Sequence, residues 1–172
     1  QDFRILNDPT LLPNTVAAAE SAIRALIAGD QTLGPKFVRF SFHDCVGGCD
    51  GCVDLTDPDN AGLLFPIQSL ESIVAEHESL QIGFSRAEIW AQAALIGADI
   101  AQAGSEEKVD FSMEWVGRQN CENNGLCLDA SNDVTECSPI RGPHRHLPEA
   151  DITTADLFHF FTEEFGFTDK QT

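Results

Sequence analysis

Arg39 and His43 stand four residues apart within Val38-Arg39-Phe40-Ser41-Phe42-His43-Asp44-Cys45. On a helix that spacing places both side chains on one face. An imidazole beside a guanidinium pairs a general base with a fixed positive charge. The combination serves reactions in which a proton moves while negative charge builds on an oxygen. The competing reading is structural: a buried His and Arg satisfied by backbone carbonyls. A second concentration of reactive side chains follows at once. Cys45, Cys49 and Cys52 alternate with Asp44, Asp50 and glycines, and Cys121, Cys127 and Cys137 form a later group.

Zinc is one explanation of six cysteines. However, the first group has Asp and Gly between its members, and no pair of Cys-x-x-Cys knuckles faces another at finger spacing. The even count favours disulfides, an oxidising compartment and a secreted, extracellular protein. Six cysteines allow 15 pairings, and the sequence does not choose among them.

The 172 residues carry 28 acidic and 10 basic side chains, a formal charge of −18. Such a surface repels phosphate backbones and anionic bilayers, which excludes nucleic acid and membrane as partners. Solubility is one consequence; attraction of Ca²⁺ or of neutral and cationic small molecules is another. No apolar run is long enough to span a bilayer, and no signal-like segment opens the chain. Gln1-Asp2-Phe3 suits a mature N-terminus.

The elements that must position Arg39 and His43 read as helices. Leu12 to Gly29 has Val16, Ala19, Ile23, Leu26 and Ile27 at helical spacing, and Gly29-Asp30 ends it. Pro35 opens a second helix from Lys36 to about Cys45. Residues Gly47 to Asn60 form a turn-rich loop. Pro66 suits the first position of a helix ending at Ser79 or Leu80. Ser85-Arg86-Ala87-Glu88 is a capping box before a long apolar helix to about Gly104. Val109 to Gly117 reads as extended. Residues 119–147 form a cysteine-rich loop insertion, after which Thr153 to Phe165 is helical, closed by Gly166. Thr168-Asp169-Lys170-Gln171 has the form of another capping box, as if a further helix were beginning. The fold class is all-α, with residues 1–172 as one unit and no internal repeat.

Arg39-x-x-Phe42-His43-Asp44-Cys45 followed by Gly48-Cys49-Asp50-Gly51 resembles the distal helix and calcium loop of the plant, fungal and bacterial haem peroxidase superfamily. The cysteine after His-Asp is closest to the secreted plant class. Further matches follow in order. Asn60 with Phe65-Pro66-Ile67 resembles the asparagine that holds the distal histidine. Phe84-Ser85-Arg86-Ala87-Glu88-Ile89 resembles the start of the following helix, and Val116-Gly117-Arg118 a Leu-Gly-Arg stretch after it. Leu147-Pro148 and Glu164-Phe165-Gly166-Phe167 resemble the approach to the proximal site. The series spans about residues 15 to 172, the distal, N-terminal half of a family member.

The resemblance implies a haem-dependent peroxidase using haem b, hydrogen peroxide and a small organic reductant. His43 would take a proton from peroxide and return it to the departing oxygen. Arg39 would stabilise the developing negative charge. Asn60 would accept from the His43 ring and fix its tautomer. Phe42 would pack over the haem edge, and Pro148 would line the pocket entrance. Calcium would be bound by Asp44, a carbonyl at Gly47 or Gly48, and Asp50.

Several residues depart from that pattern. Cys52 stands where the calcium site has a hydroxyl, and the Cys45–Cys49 interval is one residue short; Asp54, Asp57 or Asp59 are the available substitutes. Arg86 replaces the cysteine that starts the family's fourth helix, and Ala150 replaces the second proline near the entrance. No histidine supplies the iron ligand. His77, between Glu76 and Glu78, reads as solvated; His144 and His146 lie in a Pro-rich loop; His159 reads as a core residue. The expectation is that a second polypeptide carries the proximal half. The alternatives are a haem-free, non-enzymatic peroxidase-like binding or matrix protein, and an acidic calcium-binding module. The reducing substrate is not legible.

Overall fold

A computed structural model of the chain describes residues 11–55, 57–79, 84–113, 116–121, 148 and 151–168. Within them lie five helices: α1 (Leu11–Gly29), α2 (Leu33–Gly47), α3 (Leu64–Ser79), α4 (Arg86–Ala101) and α5 (Thr154–Phe165). A single 3₁₀ turn, Pro58–Asn60, lies in the loop between α2 and α3. No strand forms among the described residues, so the fold is all-α as expected. None of these helices is long and apolar enough to cross a membrane.

The helix starts differ from the proline-based expectation by two residues each. Pro35 and Pro66 occupy the third positions of α2 and α3, not the first. The first four N–H groups of a helix have no intrahelical acceptor, so proline is tolerated anywhere in the opening turn. Helix α4 stops at Ala101, short of Gly104. Thr153 caps α5 by accepting from the Asp156 N–H, and Gly166, at φ 67°, closes it in the left-handed conformation.

Helices α1 to α4 enclose one core. On α1, Ala19, Ile23 and Ile27 are buried at four-residue steps. They meet Phe37 and Phe40 of α2, Leu70 and Ile73 of α3, and Ile89 and Trp90 of α4. Phe40 meets Trp90 edge to face, with ring centroids 5.0 Å apart. The α2–α4 crossing is close because Gly34 and Gly97 face each other. A Cβ on Gly97 would stand 2.6 Å from the Gly34 carbonyl oxygen. With its other face locked this way, α2 turns Val38, Arg39 and Phe42 outward.

Two readings of single residues are corrected. His77 is not solvated: it is 3% exposed, its Nδ1 lies 2.8 Å from the Ile73 carbonyl, and its ring packs near Phe84. Satisfying the ring N–H within its own helix makes burial of the imidazole inexpensive. His159 is exposed on α5, not in the core. The Val109–Gly117 segment is non-helical in its described part, residues 109–113 and 116–117. The Gln102 amide donates to the Val109 carbonyl at 2.6 Å and accepts its N–H at 2.8 Å, which fixes the start of the segment against the end of α4.

The described end of the cysteine-rich segment, residues 119–121, docks at the start of α4. Asn120 accepts from Ala87 N–H, and Cys121 N–H donates to the Asp50 carbonyl at 2.8 Å. Cys52 and Cys121 form a buried disulfide across 69 residues, and Cys45 and Cys49 a local one across four. Residues 122–147, with Cys127, Cys137, His144 and His146, lie outside the described residues, as do Ala150 and the last three positions of the 168–171 capping pattern.

Candidate active site on the outer face of α2

Arg39, Phe42 and His43 fall on the side of α2 that faces away from α4. Arg39 and Phe42 are exposed, and His43 is partly buried. The loop after α2 returns past them because the 3₁₀ turn is built there: Asp57 accepts from Asp59 N–H, and Pro58 opens the turn. That turn delivers Asn60, itself buried, to His43.

Asn60 Oδ1 lies 2.6 Å from His43 Nδ1, while its Nδ2 donates to the Asp54 carbonyl at 2.7 Å. The second bond settles the amide's orientation, so the oxygen faces the imidazole. An amide oxygen only accepts; His43 therefore carries its proton on Nδ1 and keeps Nε2 as the basic nitrogen. The imidazole is held below its ordinary pKa, chiefly by burial and further by the Arg39 charge, against the opposing bond to Asn60. It is neutral at neutral pH.

Arg39 donates through Nη1 to the Ala61 carbonyl at 3.0 Å and through Nη2 to the Asp59 carbonyl at 2.9 Å. The same loop thus orients both functional side chains. Two of the five guanidinium N–H groups are used in these bonds, and the cation retains donors for an incoming anion or oxygen. Phe42 is 36% exposed and meets the Phe161 ring of α5 at 6.2 Å. Phe161 in turn stacks on Phe167 at 5.8 Å.

These residues fit the distal side of a haem. A half-exposed phenyl flanks an imidazole with an available nitrogen and a guanidinium held nearby. Pro148 is partly buried. His77 is fixed in the core and His159 lies on α5, so neither described histidine beyond His43 is set out on this face of α2.

The proposed calcium residues come together differently. Asp44 and Asp50 are both buried, and Gly48 ends α2 on an exposed surface. Asp44 Oδ1 accepts from Gly51 N–H at 2.9 Å and Cys52 N–H at 3.1 Å. Asp50 Oδ1 also accepts from Cys52 N–H, at 3.2 Å. Burial and the neighbouring Asp50 push the Asp44 carboxyl up to about 7, against the backbone hydrogen bonds that favour its ionised form. Cys52 is consumed in the disulfide and offers no oxygen. Arg86 reaches into the same loop, with Nε 2.8 Å from the Gly51 carbonyl. A hard cation needs six to eight oxygens, and this donor set does not fit one.

Sequence reasoning missed Glu88 as the anchor of residues 117 and 118 on α4. Fully buried, its carboxylate accepts the N–H groups of Gly117 and Arg118 at 2.5 and 2.6 Å and pairs with the Arg118 guanidinium at 2.8 Å. The capping box expected at Ser85 is therefore half formed. Ser85 accepts from Glu88 N–H, but the Glu88 side chain turns to residues 117 and 118. The Val-Gly-Arg triplet was visible in the sequence; its acidic partner 29 residues earlier was not.

The family model described as peroxidase matches residues 19–172. Peroxidase N1 of Nicotiana tabacum is 33% identical over 72 residues, covering 41% of this chain and 22% of that protein. No solved structure matches the chain. With the family model spanning nearly all of its residues and the Arg39–His43–Asn60 set assembled on α2 and its loop, the chain belongs to the peroxidase family.

Proposed function

We propose that this chain provides the peroxide-handling side of a haem peroxidase that acts on hydrogen peroxide and small organic reductants. The observation that carries the reading is the His43–Asn60 hydrogen bond on the face shared with Arg39. Haem b, when bound, supplies the iron at which peroxide is reduced and the oxidising equivalents that reductants then remove. The neutral His43 accepts a peroxide proton at Nε2 and returns it to the departing oxygen, so no proton is exchanged with solvent during cleavage. Asn60 keeps that nitrogen unprotonated and aimed outward. Arg39, steadied by the Asp59 and Ala61 carbonyls, stabilises negative charge on the oxygen atoms. Phe42 and Pro148 belong to the walls of the haem pocket in this reading.

In this reading the iron ligand comes from outside the described residues. The two disulfides support an oxidising, extracellular setting. Difference spectra of the native protein with and without haem extraction test the reading. Recovery of a Soret band on adding haem back is the expected result, and His43→Ala should keep that band but lose its rapid shift on adding peroxide. A haem-free protein that takes up no haem when correctly assembled would instead support a binding or matrix role.

A further inference from the structure

Family membership leads one to expect a calcium ion in the loop after α2, yet the loop is built from different parts. Arg86 opens α4 with a buried guanidinium, 8% exposed. Its Nε donates to the Gly51 carbonyl at 2.8 Å, and its Nη2 lies 3.2 Å from Cys121 Sγ. Glu78, at the end of α3, stands 3.9 Å from Nη1. The carboxylates of Asp44 and Asp50 are within electrostatic reach of the same guanidinium. Gly51 permits the approach: at φ 74°, its missing Cβ would meet both Arg86 Nε and Ala87 N at 3.1 Å.

One oxygen of each buried carboxylate in this loop already has a partner, as does the Gly51 carbonyl. Gly51 offers its carbonyl to Arg86, and Asp44 Oδ1 and Asp50 Oδ1 accept backbone N–H groups of the loop. The position that would need a hydroxyl is Cys52, bonded covalently to Cys121. The bonded sulfurs are poor donors to a hard cation even though they lie close to Asp50.

We propose that Arg86 is the resident cation of this loop and that, with the Cys52–Cys121 disulfide, it holds the Asp44–Asp50 segment without calcium. The guanidinium does by charge and directional hydrogen bonds what a divalent ion does by coordination. The disulfide adds the link to residue 121 that no ion would give.

Thermal unfolding of the full chain in EDTA, in millimolar calcium and in equal magnesium tests this. The expected result is one melting temperature in calcium and magnesium, because general screening of the acidic surface is common to both ions. A calcium-specific rise, accompanied by stoichiometric binding in calorimetry, would overturn the proposal. Arg86→Gln should melt at lower temperature and open Cys52–Cys121 to faster reduction by dithiothreitol; unchanged melting and reduction would also overturn it. If that variant does not fold, the calcium–magnesium comparison on the unaltered chain still decides.

Discussion

Asn60 presents its amide oxygen to His43 Nδ1 at 2.6 Å because its amide nitrogen is already committed to the Asp54 carbonyl at 2.7 Å. The loop between α2 and α3 thereby sets the protonation pattern of a side chain on α2. Replacing Asn60 with Leu keeps the volume and removes the acceptor. With haem bound, the rate of reaction with peroxide in stopped flow should fall about 10–100-fold, the usual effect of losing a partner that orients a functional imidazole. An unchanged rate would mean that His43 is positioned by its helix alone.

The pH dependence follows from the same residue. Burial holds the folded pKa of His43 below its ordinary 6.5. The unfolded chain therefore binds the proton more readily, and stability from this group is fully present above pH 6.5 and lost as pH falls through the folded value. The general base stays competent over the same range. Peroxide reactivity should fall to half at a pH below 6.5, with the ¹³C–¹H resonance of the His43 ring titrating at the same midpoint. A titration midpoint at or above 6.5 contradicts the assignment.

Gly97 should tolerate no side chain. Its Cβ would meet the Gly34 carbonyl at 2.6 Å, and backbone on both sides cannot swing away. Gly97→Ala should lower stability by about 1–3 kcal/mol in urea unfolding, as overpacking does. The change would push α2 from α4 and carry Arg39 and His43 with it, so reactivity should drop as well. Gly29→Ala, with open space around it, is the control.

The two disulfides should differ in value. Cys52–Cys121 closes 69 residues and Cys45–Cys49 only four. Chain entropy assigns about 4 kcal/mol to the first and about 2 kcal/mol to the second. Paired Cys→Ser substitutions followed by denaturant unfolding measure the difference, and equal losses would contradict this ranking.

Much of the active face was legible because it depends on local spacing. Arg39 and His43 sit one helical turn apart, and the helix pattern around them is strong. Asn60 was found only by resemblance, since its contact with His43 crosses 17 residues and depends on a 3₁₀ turn. The failures share a cause. His77 was misjudged because flanking glutamates mark a polar sequence, whereas burial depended on Phe84 from beyond the helix. Glu88 looked like half of a capping box because the sequence does not show a segment 29 residues later competing for its carboxylate. Arg86 was noticed as a departure, but its grip on Gly51 joins parts of the chain 35 residues apart. Periodicity and caps report on neighbours in sequence; these three residues are governed by neighbours in space.

The central claim is that Arg39, His43 and Asn60 form a working peroxide site. Its most direct test is the visible absorption spectrum of the protein isolated from its natural source, recorded before and after adding hydrogen peroxide. The account predicts a Soret band that shifts on peroxide addition. A featureless spectrum from correctly folded protein, or a Soret band indifferent to peroxide, would contradict it.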